Sequence, residues 1–225
     1  MALHRGPKII TDGLVLCLDA ADRKSYPGSG TVWYDRSGNS NHFTIQGNIT
    51  WNSSTGFSNF EGNSTGSGNK IFRNNFPTNL KTSQGGQGYT VIVVARSTGT
   101  GGWKKLIGNS DGENYIDLYQ NVASPYNYTT ESGDTLFVDG VGVSSNSYTM
   151  YNAGFHFYIG TSLNAGGLIN PTYALTIGNE PNNSPTGTNA YPWLGNIAIV
   201  LLYRRVLTTS EVLQNFTAQR GRFGI

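Results

Sequence analysis

Apolar residues in this chain gather in short runs divided by clusters of Gly, Asn, Ser and Thr, a pattern that predicts strands joined by turns. The first run is Leu14 to Asp19. Strict alternation puts Leu14, Leu16 and Leu18 on one face and Val15 and Cys17 on the other, so both faces are expected to be covered. Tyr89 to Arg96 is a β-branched run of the same kind. Trp193 to Tyr203 is the most apolar stretch of all. Its Ile197, Ile199 and Val200 favour a strand over a helix, and it is read as a buried central strand paired with Leu14 to Asp19. Shorter strands are expected at Phe43 to Ile45, Thr50 to Trp51, Phe57 to Phe60, Lys70 to Phe72, Trp103 to Gly108, Tyr115 to Tyr119 and Ala174 to Gly178. Asn109 to Gly112 and Leu136 to Gly140 carry the Asp-Gly signal of tight hairpin turns. In Gly154 to Gly160, Phe155, Phe157 and Ile159 alternate with His156 and Tyr158, which assigns His156 to the less buried face. A single helix, of one or two turns, is predicted near the end. Thr208 and Thr209 stand before Glu211 as a hydroxyl cap before an acid, and Val212, Leu213 and Phe216 follow at helical spacing.

Regular strand spacing, with no helix before Thr209, predicts an all-β, antiparallel two-sheet sandwich ending in one short C-terminal helix. Residues 1–12 are polar, contain Pro7 and lack periodicity, and read as an extended N-terminal arm. Residues 13–219 form a single domain, and residues 220–225 a basic, then apolar, C-terminal tail. Composition agrees. The chain has 225 residues, 30 glycines and 12% charged residues, as suits many turns, while 12% aromatics argue against disorder. A net charge of +2, with both signs interspersed, offers no footprint for nucleic acid. One cysteine, Cys17, leaves no disulfide within the chain. No apolar run reaches membrane-spanning length, and the opening residues lack the apolar core of a signal peptide.

Candidate chemistry is sparse. Asp35, in the polar turn Asp35 to Asn41, reads as an Asx-turn acceptor for nearby amides. The sharper alternative is a calcium site using Asp19, Asp22 or Asp35, although six to eight oxygens are needed and no D-x-D-x-D-G loop is present. Three scattered histidines and one cysteine give no zinc pattern. His42 and His156 have no nucleophile turn beside them, and the Gly-rich stretch at 99 to 102 has no following phosphate-binding helix. No cofactor is expected.

Three stretches carry a resemblance. Gly195, Ile197, Val200, Leu202 and Tyr203, followed by Arg204, Leu207, Thr208 and Glu211, resemble the closing signature of concanavalin A-like, laminin-G-like domains. Gly13 to Asp19 with Trp33 to Asn39 resembles their opening, and Tyr89 to Arg96 a middle strand. The resemblance spans about Gly13 to Phe216 and implies a jelly-roll sandwich, with the first strand closed against the last; its wording is similar to versions carried by structural proteins of tailed bacteriophages. It implies a virion protein without enzymatic activity, a capsid decoration or cement protein located in the virion. Such a protein would act through contacts with the major capsid protein, a tail protein or further copies of itself, using the arm or the tail. The alternative it implies is a lectin of the tail or fibre that recognises a surface glycan. Sandwich lectins stack sugars on aromatic rings beside hydrogen-bonding Asn and Asp, and Trp103, Tyr115, Tyr119, Tyr126, Tyr128 and Asn179 are the candidates. The same tyrosines suit a protein interface equally well. A third reading is a glycan hydrolase, because the family includes β-glucanases with an E-x-D-x-E run. The nearest match here is Glu113 to Asp117, with Tyr115 at its centre. Ends four residues apart on a strand sit ~13 Å apart at Cα, whereas retaining hydrolysis needs carboxyls about 5 to 5.5 Å apart.

Overall fold

A computed structural model describes residues 7–60, 68–74, 88–99, 104–108, 117–121, 127–129, 135–143, 154–162, 174–179 and 191–225, with 117–121, 127–129 and 162 described by their backbone. The strands in chain order are β1 (Leu14–Asp19), β2 (Val32–Trp33), β3 (Phe43–Gln46), β4 (Thr50–Asn52), β5 (Gly56–Ser58), β6 (Lys70–Arg73), β7 (Tyr89–Ser97), β8 (Lys104–Gly108), β9 (Asp117–Asn121), β10 (Asn127–Thr129), β11 (Thr135–Val138), β12 (Val141–Val143), β13 (Phe155–Ser162), β14 (Leu175–Ile177) and β15 (Gly195–Tyr203), followed by helix α1 (Thr209–Phe223).

They form two antiparallel sheets. The inner sheet has eight strands in the order β12-β11-β13-β7-β15-β5-β4, with β1 also paired to β15; the outer sheet has seven, in the order β10-β9-β8-β14-β6-β3-β2. The chain is therefore an all-β, antiparallel two-sheet jelly-roll sandwich closed by a C-terminal helix. The expected pairing of the first and last long strands is present, with Leu18 opposite Val200 and Asp19 opposite Ile199.

Two apolar clusters divide the core. Between the sheets lie Leu16, Leu18, Val91, Val93, Tyr158, Val200 and Leu202 from the inner sheet and Trp33, Phe43, Ile71, Ile107, Leu175 and Ile177 from the outer sheet. On the far side of the inner sheet, Ile92, Val94, Phe157, Ile159, Ile199 and Leu201 pack beneath Val212, Phe216 and Phe223 of α1. The molecule thus has three layers: outer sheet, inner sheet and helix. This explains why β7 and β15 are apolar on both faces.

Four expectations are corrected. Helix α1 runs for 15 residues, not one or two turns. Its capping box is the predicted one, with the Thr208 hydroxyl accepting from the Glu211 amide at 3.3 Å and the Glu211 carboxylate accepting from the Thr208 amide at 2.9 Å. The helix continues through Gly221 because Phe216 and Phe223 both reach the sheet, where Phe216 stacks on Phe157 at 5.4 Å and Phe223 on Phe155 at 5.0 Å. Packing here outweighs the poor helix propensity of glycine. Leu213, expected on the packed face, is 51% exposed. In β1 the register shifts between Leu14 and Leu16. That bulge turns Leu14 to the helix side with Cys17, and Val15, Leu16 and Leu18 pack between the sheets. Finally, His156 is not on a lightly buried face. It pairs with Ala95, on the side between the sheets, and is 7% exposed. Its Nδ1 lies 2.6 Å from Asp139 Oδ2. Alternation could not separate solvent from core in β13, because both sides of the inner sheet are covered.

The N-terminal segment is docked over its described part. Ile9 and Ile10 pack on the helix-side cluster. Gln214 donates to the Lys8 carbonyl at 2.8 Å, Asn215 Oδ1 accepts from the Ile10 amide at 2.9 Å, and the Tyr203 hydroxyl donates to the Ile10 carbonyl at 2.9 Å. Residues Arg220 to Phe223, read as a separate tail, belong to the last turn of α1, which closes at Gly224 with φ 72°.

Candidate ligand-binding face

The helix covers one side of the inner sheet and the sandwich core covers the other. The candidate face is the outward side of the outer sheet over β3 and β6, because β8 and β14 are buried throughout their described residues. Its residues follow from register. Ile45 pairs with Ile71 and Ile71 with Ile177, a rung directed into the core. The neighbouring rung, Val32, Thr44, Phe72 and Thr176, therefore faces outward. One step further, Gln46 pairs with Lys70 on the same outward face.

Phe72 is the centre of this arrangement. Its ring is half-buried, and the Lys70 ammonium lies over it, 5.3 Å from the centroid. Lys70 is itself half-buried, and loss of water lowers its pKa from the usual lysine value. Thr44, beside the ring on β3, is exposed. The Gln46 side-chain amide donates to the Gly68 carbonyl at 3.4 Å, which orients its oxygen. On the other flank Thr176 is fully buried, its hydroxyl within hydrogen-bond distance of the Gly108 and Asn179 carbonyls at 3.1 and 2.7 Å. An aromatic surface bordered by a hydroxyl, an amide and an ammonium offers stacking and directional hydrogen bonds together.

Of the residues singled out from sequence, Trp103, Tyr115, Tyr126 and Glu113 lie outside the described residues. Tyr119 and Tyr128 lie in β9 and β10. Tyr119 pairs with Thr129 and Lys105, and Tyr128 with Gln120, so the two occupy consecutive rungs, not one. Asn179 is 4% exposed, and its side-chain amide donates to the Asn69 carbonyl at 3.4 Å. Phe72 was not among the expected residues. Its run, Lys-Ile-Phe-Arg, is too short to tell an outward aromatic from a core one, and the strand partners decide it.

The aspartates considered for calcium are committed to the fold. Asp35 Oδ1 accepts from the amides of Cys17 and Ser37, both at 2.8 Å. Its Oδ2 accepts from the Ser37 hydroxyl at 2.7 Å and the Asn41 amide at 2.9 Å. Asp19 accepts from the Ala21 amide and from Arg222, and Asp22 accepts from the Lys24 amide and forms an ion pair with Arg36 at 3.5 Å. Among the described residues no group of His, Cys, Asp and Glu side chains converges as a metal site. No described helix is long and apolar enough to cross a membrane.

No protein-family model matches the chain, and no curated protein matches it. Similarity appears among solved structures. A Trypanosoma rangeli sialidase in complex with 2,3-difluorosialic acid matches with a TM-score of 0.52 and 16% identity, over 98% of this chain and 36% of the sialidase chain. The same organism's sialidase with the inhibitor DANA matches with a TM-score of 0.52 and 14% identity, over 95% and 34%. Domain 4 of an extracellular arabinanase from Geobacillus stearothermophilus, solved with arabinotriose, gives a TM-score of 0.48 at 12% identity, over 91% of this chain and 98% of that domain. This chain therefore spans about a third of the sialidase's length. At these identities the likeness is one of fold: the chain shares a β-sandwich architecture with part of the sialidase chain.

Proposed function

We propose that this domain binds carbohydrate, without cleaving it, on the solvent face of its outer sheet. The observation that carries the reading is the Phe72 ring, half-buried on that face and bordered by Thr44, Gln46 and Lys70. A sugar presents a C–H face that packs on an aromatic ring and hydroxyls around its edge that need donors and acceptors. The Lys70 ammonium beside the ring adds a positive charge to that border. The sandwich shared with part of a sialidase is compatible with such a role. Binding is preferred to hydrolysis because the nearest match to the E-x-D-x-E run, Glu113 to Asp117, has Tyr115 where the central acid would stand.

The other expectation, a structural role in a phage particle, rests on sequence resemblance alone. Its proposed arm is, over Lys8 to Asp12, held by Gln214, Asn215, Tyr203 and Arg205 of the same chain. A glycan array probed with the wild-type protein and with Phe72→Ala tests the binding reading. The expected result is selective retention of one glycan class by the wild type and a loss of roughly tenfold or more in the variant, the factor that ~1.4 kcal/mol represents. Absence of binding across the array, or equal binding by both proteins, would overturn it.

A further inference from the structure

We propose that Tyr34 and His42 form a second subsite on the same face, so that the ligand is an extended glycan chain and not a single terminal sugar. The inference rests on the carbohydrate reading of Phe72 and adds its dimension. Trp33 and Phe43 pair with each other and point into the core. Their neighbours Tyr34 and His42 therefore fall on the outward side, one rung beyond Val32, Thr44 and Phe72. Tyr34 is 41% exposed, one of the few large apolar side chains so exposed among the described residues. Its ring meets the His42 imidazole edge to face, with centroids 5.2 Å apart and planes at 70°. From strand spacing, Tyr34 and Phe72 are separated by two strand intervals and two residues along the strand, roughly 12 Å at Cα. Thr44 stands between them with an exposed hydroxyl. One sugar covers one ring, so a ligand touching both platforms must be a chain.

The corner is held in place before any ligand arrives. The Tyr34 amide donates to the Ser25 carbonyl at 2.7 Å, and the Ser25 hydroxyl donates back to the Tyr34 carbonyl at 2.7 Å. The Asp35 amide donates to His42 Nδ1 at 3.1 Å. That bond makes Nδ1 the acceptor and leaves Nε2 to carry the ring proton, a donor that no described residue engages. Arg73 donates to the His42 carbonyl at 2.9 Å and the Ser40 carbonyl at 3.3 Å, and the Asp35 carboxylate ties Cys17, Ser37 and Asn41 around the same loop. An exposed aromatic pair on a backbone fixed at so many points costs little ordering on binding, which is what favours it as a contact surface.

The test uses the glycan bound most strongly by the wild type on the array, trimmed into a series from one to six sugar units and titrated calorimetrically. The wild type is expected to gain affinity as the chain lengthens past the Phe72 subsite. Tyr34→Ala should flatten that gain, leaving the longest member about tenfold weaker than on wild type. His42→Asn, which keeps an acceptor for the Asp35 amide while removing Nε2–H, should lose part of the gain. Circular dichroism and thermal midpoints confirm that each variant folds. If affinity does not rise with length, or if Tyr34→Ala keeps the full rise while Phe72→Ala abolishes binding, the second subsite is refuted and the Phe72 site stands. If no glycan binds the wild type, both fall.

Discussion

Asp35→Ala should be among the most damaging substitutions of a polar residue in this fold. Asp35 is 6% exposed, and its carboxylate accepts four hydrogen bonds, from the Cys17, Ser37 and Asn41 amides and the Ser37 hydroxyl. These bonds join β1 to the loop that carries Tyr34 and His42. Removing the carboxylate leaves the amides of fully buried Asn41 and half-buried Cys17 without acceptors. An unsatisfied buried amide costs ~1–3 kcal/mol. Ser37 is half-exposed and can turn to water, so two amides dominate, and the expected loss is about 3–4 kcal/mol. Against a total stability of roughly 5–15 kcal/mol that is a large fraction. Asp35→Asn should cost less, about 1–2 kcal/mol: an oxygen in place of Oδ1 still serves Cys17 and Ser37, while the amide nitrogen opposes the Asn41 N–H. Urea unfolding read by tryptophan fluorescence measures both, as a lower midpoint at unchanged slope. A loss under ~1 kcal/mol for Asp35→Ala would show that the loop is held by something other than this carboxylate.

Three further outcomes follow from the same geometry. Gly195 has φ 147°, and a Cβ there would overlap the Arg96 carbonyl oxygen; Gly195→Ala should cost more than about 3 kcal/mol in urea unfolding, and a near-neutral result would contradict the register of β15 against β7. Glu211 has its pKa lowered from 4.5 to about 2, first by the bonds from Arg205 and then by the Thr208 amide. Its folded-state value lies below the unfolded one, so its contribution is complete above pH ~4.5 and is lost as pH falls toward ~2. Thermal midpoints should drop more steeply across that window in wild type than in Glu211→Gln, and parallel curves would refute a stabilising ion pair between Glu211 and Arg205. Burial raises the Cys17 thiol to about 12, with Asp19, Asp35 and Asp22 adding to the effect. At pH 8 it should react far more slowly with a thiol reagent in the native protein than in denaturant, and equal rates would contradict its placement.

Sequence made the β architecture legible wherever a run was long or a motif was tied to one geometry. Leu14 to Asp19 and Trp193 to Tyr203 announced themselves as paired central strands through unbroken apolar character. The glycine of the closing signature, Gly195, has a backbone reason: only glycine lets β15 approach the Arg96 carbonyl. Asp35 to Asn41 was legible as turn chemistry, and its carboxylate does accept from nearby amides. The helix length was not legible, because the helical spacing was read only through Val212, Leu213 and Phe216, whereas Phe223 finds a partner in Phe155 that lies far away in sequence. The burial of His156 was hidden for a related reason: alternation predicts exposure only when one side of the sheet meets water. The ligand face was the least legible part. Phe72, Tyr34 and His42 come from separate strands and loops, and only the pairing of β2, β3 and β6 places them on one surface.

The central claim is that a glycan lies across the outward face of β2, β3 and β6. The most direct test is backbone amide chemical-shift mapping of the isotope-labelled protein, titrated with the glycan retained on the array. Shifts concentrated at residues 34, 42 to 46 and 70 to 74, with little change along α1 and β15, are what the account predicts. Shifts concentrated on α1, on the β11–β12 hairpin or on the docked segment Lys8 to Asp12 would place the ligand elsewhere and contradict it.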